Sequence, residues 1–289
     1  MTRGHRTPRV SILLPVHNAL GLLPRCWASL AAQTLEDFEC VAVDDGSTDG
    51  SAGWLEAVAA GDPRLRVIRR GHEGLVAALN AGLAEARAAL IARMDADDES
   101  LPLRLQRQAG LLERESGLGL VGCLVEIAGA LGEGYALHVN WLNGVVQPAD
   151  VERERFVESP FAHPSVMFRR EVVQRHGGYR AGAFPEDYEL WLRWLDAGVR
   201  MAKVPEVLLR WHDRPDRLSR TDSRYDLEAF YRLKATYLAR WLRREVVPGR
   251  PIVVWGAGRL TRRRVEMLQR EGVEVAAYVD VASRRQGTH

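Results

Sequence analysis

The decapeptide IARMDADDES (91–100) places Asp95, Asp97 and Asp98 within four positions, directly after an apolar run. Carboxylates this close repel one another unless a cation or several hydrogen bonds hold them. One divalent ion would serve all three, where a structural account needs three separate partners. Two other loops gather acceptor groups. DDGSTDGS (44–51) carries Asp44 and Asp45 beside Gly46 and Gly50, which is turn chemistry. PVHN (15–18) adds Pro15, His17 and Asn18. Further along, Glu186 and Asp187 open the stretch EDYELWLRWLDAG, and an acidic pair at a helix start is by itself a capping device. His163 stands in HPS and can ligate or merely hydrogen-bond. Arg210, Arg214 and Arg217 flank His212; guanidinium matches phosphate geometry, and the competing reading is a solvated basic loop.

The elements that must position these groups are legible from periodicity. Short aliphatic runs at 10–15, 38–44, 65–69 and 90–94 alternate with helical patterns at 20–33, 52–60 and 75–87. Continuous apolar strands separated by helices predict a doubly wound α/β unit with a mostly parallel sheet. Ligands of such sheets bind beyond the carboxyl ends of the strands. PVHN, DDGSTDGS and DADDES each follow a strand, so these loops are expected to meet at one edge. The second half reads as α+β: a strand at 165–170, a helix at 186–198 and a strand at 201–212 follow a looser region around 130–163. A helix is expected from 225 to 246, with Leu227, Phe230, Tyr231, Tyr237, Leu238, Trp241 and Leu242 on one stripe. PGRP (248–251) breaks it, making 247–250 the expected boundary.

Taken in order, PVHN, VDDGSTDGS, LNAGLAEA with ARMDADD, HPSVMFRR and EDYELWLR resemble family 2 glycosyltransferases of the GT-A fold, particularly those that build bacterial surface polysaccharides. The likeness covers roughly residues 8–220. It implies that Asp95 and Asp97 form the DxD motif, holding Mg²⁺ or Mn²⁺ and the diphosphate of a nucleotide-sugar donor, most commonly UDP-linked. Asp98 is left as a further ligand or a helix-start residue, and Glu99 is expected to cap a helix beginning near 101. The resemblance gives Asp45, and after it Asp44, to the base and ribose, with Pro15, His17 and Asn18 lining that pocket. It places His212 near the metal or diphosphate, and Arg210 beside it is expected to meet the diphosphate by its guanidinium chemistry. Asp187 becomes the base that deprotonates the acceptor hydroxyl, with Glu186 as runner-up. The implied reaction is an inverting transfer to a saccharide or lipid-linked saccharide.

Composition sets outer bounds. The 289 residues carry 40 basic and 38 acidic side chains, and the arginines are dispersed, which gives no case for a nucleic-acid partner. Cys26, Cys40 and Cys123 are odd in number and lack C-x-x-C spacing, fitting a reducing cytoplasm. The N-terminal apolar run is broken by Pro15 and reads as a strand, not a signal peptide. GLGLVGCLVEIAGALG is too short and interrupted to span a bilayer, so any membrane contact is expected to be peripheral, through the arginine- and aromatic-rich helix at 225–246. The tail, PIVVWGAGRL to YVD, opens like a Rossmann unit, yet Thr261 stands where the third fingerprint glycine belongs, so dinucleotide binding is not expected. Three segments follow: a catalytic domain at 1–222, a helical connector at 223–248 and a partial Rossmann-like piece at 249–289. The rival functions are a nucleotidyltransferase, whose glycine-rich basic loop is missing after the first strand, and a non-catalytic nucleotide-sugar-binding module, which requires Glu186–Asp187 to lie far from the aspartate cluster.

Overall fold

A computed structural model of the chain describes residues 7–129, 133–214, 217–245 and 250–280. The first half alternates as expected: β1 Val10–Val16, α1 Leu23–Ala31, β2 Phe38–Asp45, α2 Ser51–Gly61, β3 Leu65–Arg70, α3 Leu75–Glu85 and β4 Leu90–Arg93. β2 is buried along its whole length and β1 nearly so, as parallel strands covered on both faces must be. α1 begins three residues later than its pattern, with Pro24 in the first turn, where a missing N–H costs nothing.

Beyond β4 come β5 Glu99–Ser100, α4 Arg104–Arg114, β6 Leu118–Ala128, α5 Glu133–Gly144, α6 Pro148–Glu154, β7 Met167–Arg169, α7 Arg170–His176, α8 Glu186–Asp196 and β8 Arg200–His212. Two helices thus occupy much of the region expected to be loose, and the apolar GLGLVGCLVEIA segment is an interior strand. Among the described residues these strands form one sheet in the order β3-β2-β1-β4-β7-β6-β8-β5. β3, β2, β1 and β4 are parallel; β7 runs against both β4 and β6, and β5 against β8.

The helix expected near 101 begins three residues later. Pro102 disfavours the helical conformation at Leu101, and the Leu101 N–H instead donates to the Leu208 carbonyl at 2.9 Å. α4 therefore begins at Arg104, with no acidic residue in its first turn. The segment after the aspartates is fixed by a buried amide from α1. Gln33 Nε2 donates to the carbonyl of Leu101 at 2.9 Å and reaches the Ser100 carbonyl at 3.1 Å, while its Oε1 accepts from Leu105 N, also at 3.1 Å. One side chain thereby serves the opening turn of α4 and the exit of the aspartate loop together.

The chain divides into two compact units, residues 1–181 with 186–217, and residues 182–185 with 218–289. The second holds α9 Leu218–Thr221, α10 Leu227–Glu245, β9 Ile252–Trp255, α11 Arg259–Arg270 and β10 Val275–Val279, with β9 and β10 parallel. The buried face of α10 is Ala229, Leu233, Tyr237 and Ala239 rather than the full expected stripe; Leu227 is exposed. Ala239 packs with Leu268 of α11 and Val273, so the helix read as a connector shares a small core with the tail. Much of the expected boundary at 247–250 falls outside the described residues.

Gln33→Leu roughly keeps the shape of the side chain but strands the Leu105 N–H and takes a donor from the carbonyls at 100 and 101, the second of which still accepts from Arg104 N at 3.0 Å. A loss of about 1–3 kcal/mol in chemical denaturation is expected, since a buried backbone group left without a partner carries its full desolvation cost.

Candidate active site

The loop after β4 turns at the carboxyl edge of the sheet and brings Asp95, Asp97 and Asp98 together, with ligand oxygens within 4.8 Å of one another. Asp98 is buried. Its Oδ1 accepts from the His212 N–H at 2.8 Å, whereas Oδ2 is buried and has no hydrogen-bond partner among the described residues. Burial, and then the charge of Asp95, raises the pKa of Asp97; burial with both neighbouring aspartates raises Asp98 well above the usual carboxylate range. This is a set of hard oxygen donors with an orphaned buried oxygen in it, and its chemistry fits a divalent cation.

Around the trio, several expected roles change hands. Glu99 is not a helix cap: it lies in β5 and accepts from His212 Nε2 at 2.7 Å, with Arg25 Nε at 3.6 Å and Arg210 Nη1 at 3.5 Å. His212 therefore stands outside the carboxylate trio, its Nε2 directed at Glu99 and its backbone N–H at Asp98. Arg210 is shared between Glu126, at 2.9 Å, and Glu99. Arg217 is a further source of positive charge. It acts electrostatically on all three aspartates and stacks on Trp211, with the guanidinium carbon 4.8 Å from the ring centre.

At the end of β2, Asp44 and Asp45 are both buried, but they are not equivalent. Asp45 is spent on the loop after β3: its Oδ1 accepts from Glu73 N at 2.8 Å and its Oδ2 from Gly74 N at 2.9 Å. Asp44 has one long contact, Ser47 N to Oδ2 at 3.4 Å, and its Oδ1 is buried with no partner among the described residues. The acceptor with unused capacity is Asp44, the reverse of the ranking drawn from the sequence. Pro15 lies within β1, partly buried. His17 Nδ1 donates to the Asp45 carbonyl at 2.8 Å, and the His17 ring stacks on His72 with centroids 4.2 Å apart. Asn18, left-handed at φ 48°, joins the loops: its Oδ1 accepts from Thr48 N at 2.8 Å and its own N–H donates to Ser47 Oγ at 2.9 Å.

Glu186 and Asp187 open α8, which is buried almost all round by Tyr188, Leu190, Trp191 and Trp194. Glu186 is buried and Asp187 partly exposed, so of the two Asp187 is the one a solute can reach. His163 Nε2 lies 2.8 Å from Tyr179 Oη, and its Nδ1 lies 3.9 Å from Glu186. Burial, reinforced by Arg93, pushes the His163 pKa well down and keeps the ring neutral. Tyr179 is held from α3, where Asn80 of LNAG donates Nδ2–H to the Tyr179 carbonyl at 2.9 Å and accepts its N–H at 3.1 Å. Arg93, at the end of β4, is 2% exposed and ion-paired with Asp95, and its charge also acts on Asp97 and Asp187. Neither Arg93 nor Asn80 is singled out by motif reasoning. The available signal for Arg93 is a lone arginine inside an otherwise apolar strand.

Residues 11–177 match the model of glycosyl transferase family 2. The chain belongs to that family. It is 34% identical over 192 residues to the amylovoran biosynthesis glycosyltransferase AmsE of Erwinia amylovora, covering 65% of this chain and 69% of AmsE. Among solved structures it resembles residues 1–349 of TarS from S. aureus in complex with UDP-GlcNAc, with a TM-score of 0.66, 16% identity, and 91% of this chain and 71% of that one covered. It also resembles the mannosyltransferase PcManGT of Pyrobaculum calidifontis in complex with GDP-Man and Mn²⁺, with a TM-score of 0.59, 20% identity, and 85% and 66% covered. At these identities the structural likeness shows the GT-A fold alone. The chain is a glycosyltransferase, which sets aside the nucleotidyltransferase and the non-catalytic module.

In the second unit of this glycosyltransferase, the glycine loop after β9 is closed from within. Asp280, at the end of β10, accepts from Ala257 N at 2.8 Å, and Gly256 N donates to the Val279 carbonyl at 2.7 Å. One backbone donor that a dinucleotide phosphate would use is thus taken by the chain's own carboxylate.

Dry surroundings, and then the charge of Glu186, raise Asp187 to about 7. A carboxyl held there accepts a proton only above that pH, so with Asp187 in the expected role of base turnover should climb as pH rises through about 7 and level off beyond it, with the limb belonging to the Glu186–Asp187 pair. Initial rates from pH 5.5 to 9 test this, and Asp187→Asn should remove the limb together with most of the rate. Because the folded pKa exceeds the unfolded one, the same group favours folding at low pH and progressively less as pH rises from about 4 to 7.

Proposed function

We propose that this glycosyltransferase is an inverting, metal-dependent enzyme that moves a sugar from a nucleotide-diphosphate donor, UDP-linked, to a hydroxyl of a saccharide or lipid-linked saccharide in cell-surface polysaccharide assembly. The observation that carries the reading is Arg93: one buried guanidinium is ion-paired with Asp95 and acts electrostatically on Asp187, so the donor end and the base end belong to one site. The likeness to AmsE, TarS and PcManGT, whose descriptions name amylovoran biosynthesis, UDP-GlcNAc, and GDP-Man with Mn²⁺, supports the class of donor and metal.

In this reading Asp95, Asp97 and Asp98 would hold Mg²⁺ or Mn²⁺, which when bound supplies charge to offset the departing diphosphate. Asp44 Oδ1 accepts an N–H of the base or a ribose hydroxyl, a role open only to an acceptor. Asn18 and Asp45 keep the two flanking loops in register, and Arg217 adds positive charge over the aspartates. Asp187 takes the proton of the acceptor hydroxyl as its oxygen bonds to the anomeric carbon, while the donor bond to the diphosphate breaks on the opposite face. One in-line displacement inverts the configuration. Glu186, buried behind Asp187, keeps the proton affinity of the base high enough for neutral pH. The chemistry rests on the catalytic segment, 1–222; the segments 223–248 and 249–289 stand outside it. No helix among the described residues is long and apolar enough to cross a membrane, and in this reading contact with the inner membrane face is peripheral.

Asp97→Asn should weaken Mn²⁺-dependent binding of nucleoside diphosphate and abolish transfer together, because the amide keeps the size but loses the charge. Asp187→Asn should leave that affinity nearly intact while transfer falls by roughly 10²-fold or more. Calorimetric titration paired with donor turnover on both variants separates the roles. An Asp187→Asn protein that loses affinity as badly as Asp97→Asn, or keeps its full rate, moves the base to Glu186. Asp44→Asn should weaken nucleotide binding with or without Mn²⁺.

A further inference from the structure

Arg93 sits in the least hydrated part of the donor edge. Its backbone is fixed at both ends of the peptide: Arg93 N donates to the Val166 carbonyl at 3.0 Å, and Arg104 Nη2, itself buried, donates to the Arg93 carbonyl at 2.6 Å. The side chain is 2% exposed, so it cannot retreat into water. Its Nη1 pairs with Asp95 Oδ1, while its Nε is buried with no hydrogen-bond partner among the described residues. A buried guanidinium paired with a single carboxylate, with an N–H left over, is costly unless something else completes it.

The local charge makes the consequence explicit. Asp95, Asp97 and Asp98 face Arg93, Arg217 and, beside Asp98, the buried Arg104, so resident guanidinium groups already offset much of the trio's charge. A divalent ion arriving alone would compete with Arg93 for Asp95 and leave an unbalanced buried cation behind. Arriving with a diphosphate, it brings its own compensation.

Resting on the metal-and-donor reading above, we propose that Arg93 is a positioning residue that acts as the resident counter-cation of Asp95, so that the aspartate trio captures a divalent ion only together with a nucleoside diphosphate. The ion pair keeps Asp95 in place while the trio is without metal, and the spare N–H groups of Arg93 are available once Asp95 is engaged elsewhere. A residue that merely props the strand makes the opposite prediction, because losing a prop can only loosen the metal site.

The test is calorimetric titration of the full chain with Mn²⁺ alone, and with Mn²⁺ in the presence of saturating UDP or GDP. Wild type should bind Mn²⁺ at least about tenfold more weakly alone than with nucleotide. Arg93→Met should bind Mn²⁺ alone at least about tenfold more tightly than wild type, with the nucleotide dependence correspondingly reduced, whereas Arg93→Lys should behave as wild type. Equal or weaker Mn²⁺ binding by Arg93→Met overturns the proposal, and so does wild type binding Mn²⁺ equally well with and without nucleotide. If Arg93→Met does not fold, Arg93→Gln carries the same sign test, and the wild-type comparison stands by itself. The two readings fail differently. Absence of any Mn²⁺-dependent UDP or GDP binding by wild type defeats the metal-and-donor reading, while its presence without tightening in the neutral variants defeats only the role of Arg93.

Discussion

The ion pair between Arg93 and Asp95 is the contact around which the donor edge is organised. Asp95, Asp97, Asp98, Glu186 and Asp187 stand around it, and burial together with neighbouring negative charge raises the pKa of Asp97, Asp98 and Asp187. Arg93 counters this from the centre, acting on Asp95, Asp97 and Asp187, while burial leaves His163 neutral and unable to share the task. The result is graded. Asp97 and Asp98 keep raised proton affinities, and Asp187 rests near neutrality, the range that the proposed base requires.

Holding such a site requires rigid supports, and most of them are side chains that bond to distant backbone. Asn80 binds both the N–H and the carbonyl of Tyr179, Gln33 joins the exit of the aspartate loop to α4, and Asn18 joins the loops after β1 and β2. Amides suit this work because one planar group both donates and accepts without bringing charge. Gly82, two residues after Asn80, supports the same arrangement by proximity: a Cβ there would lie 3.2 Å from Leu13 and 3.4 Å from Val43, so its absence lets α3 approach the sheet. LNAG is therefore a packing and positioning motif.

The second unit follows different physics. Its sheet has two parallel strands, its glycine loop is closed by Asp280, and its small core is shared by α10 and α11. Carboxylate-rich edges, orphaned acceptors and buried guanidinium groups of the kind found in the first unit do not recur among its described residues. Glycine spacing alone therefore says little about ligand binding when an acidic residue of the same unit already occupies the backbone donors.

Local rules made much of this protein legible. Apolar runs of strand length separated by helical periodicity dictated a parallel α/β sheet, turn residues placed three polar loops beyond strand ends, and the density of carboxylates at 95–98 marked a cation-seeking loop. These are properties of short windows, in which hydrophobic period and turn chemistry act within a few residues of their cause. Partner choice is not such a property. Adjacent residues on a strand face opposite sides, so which of Asp44 and Asp45 keeps a free oxygen depended on where the loop after β3 came to lie. Glu99 lost its capping role because Pro102 kept Leu101 out of a helix and β5 paired with β8, a register that also committed His212 and Arg210 to carboxylates. Only the tertiary structure could assign these contacts, because each matches side chains from strands far apart in the chain, and pairing energies of that kind leave no periodic trace in the sequence.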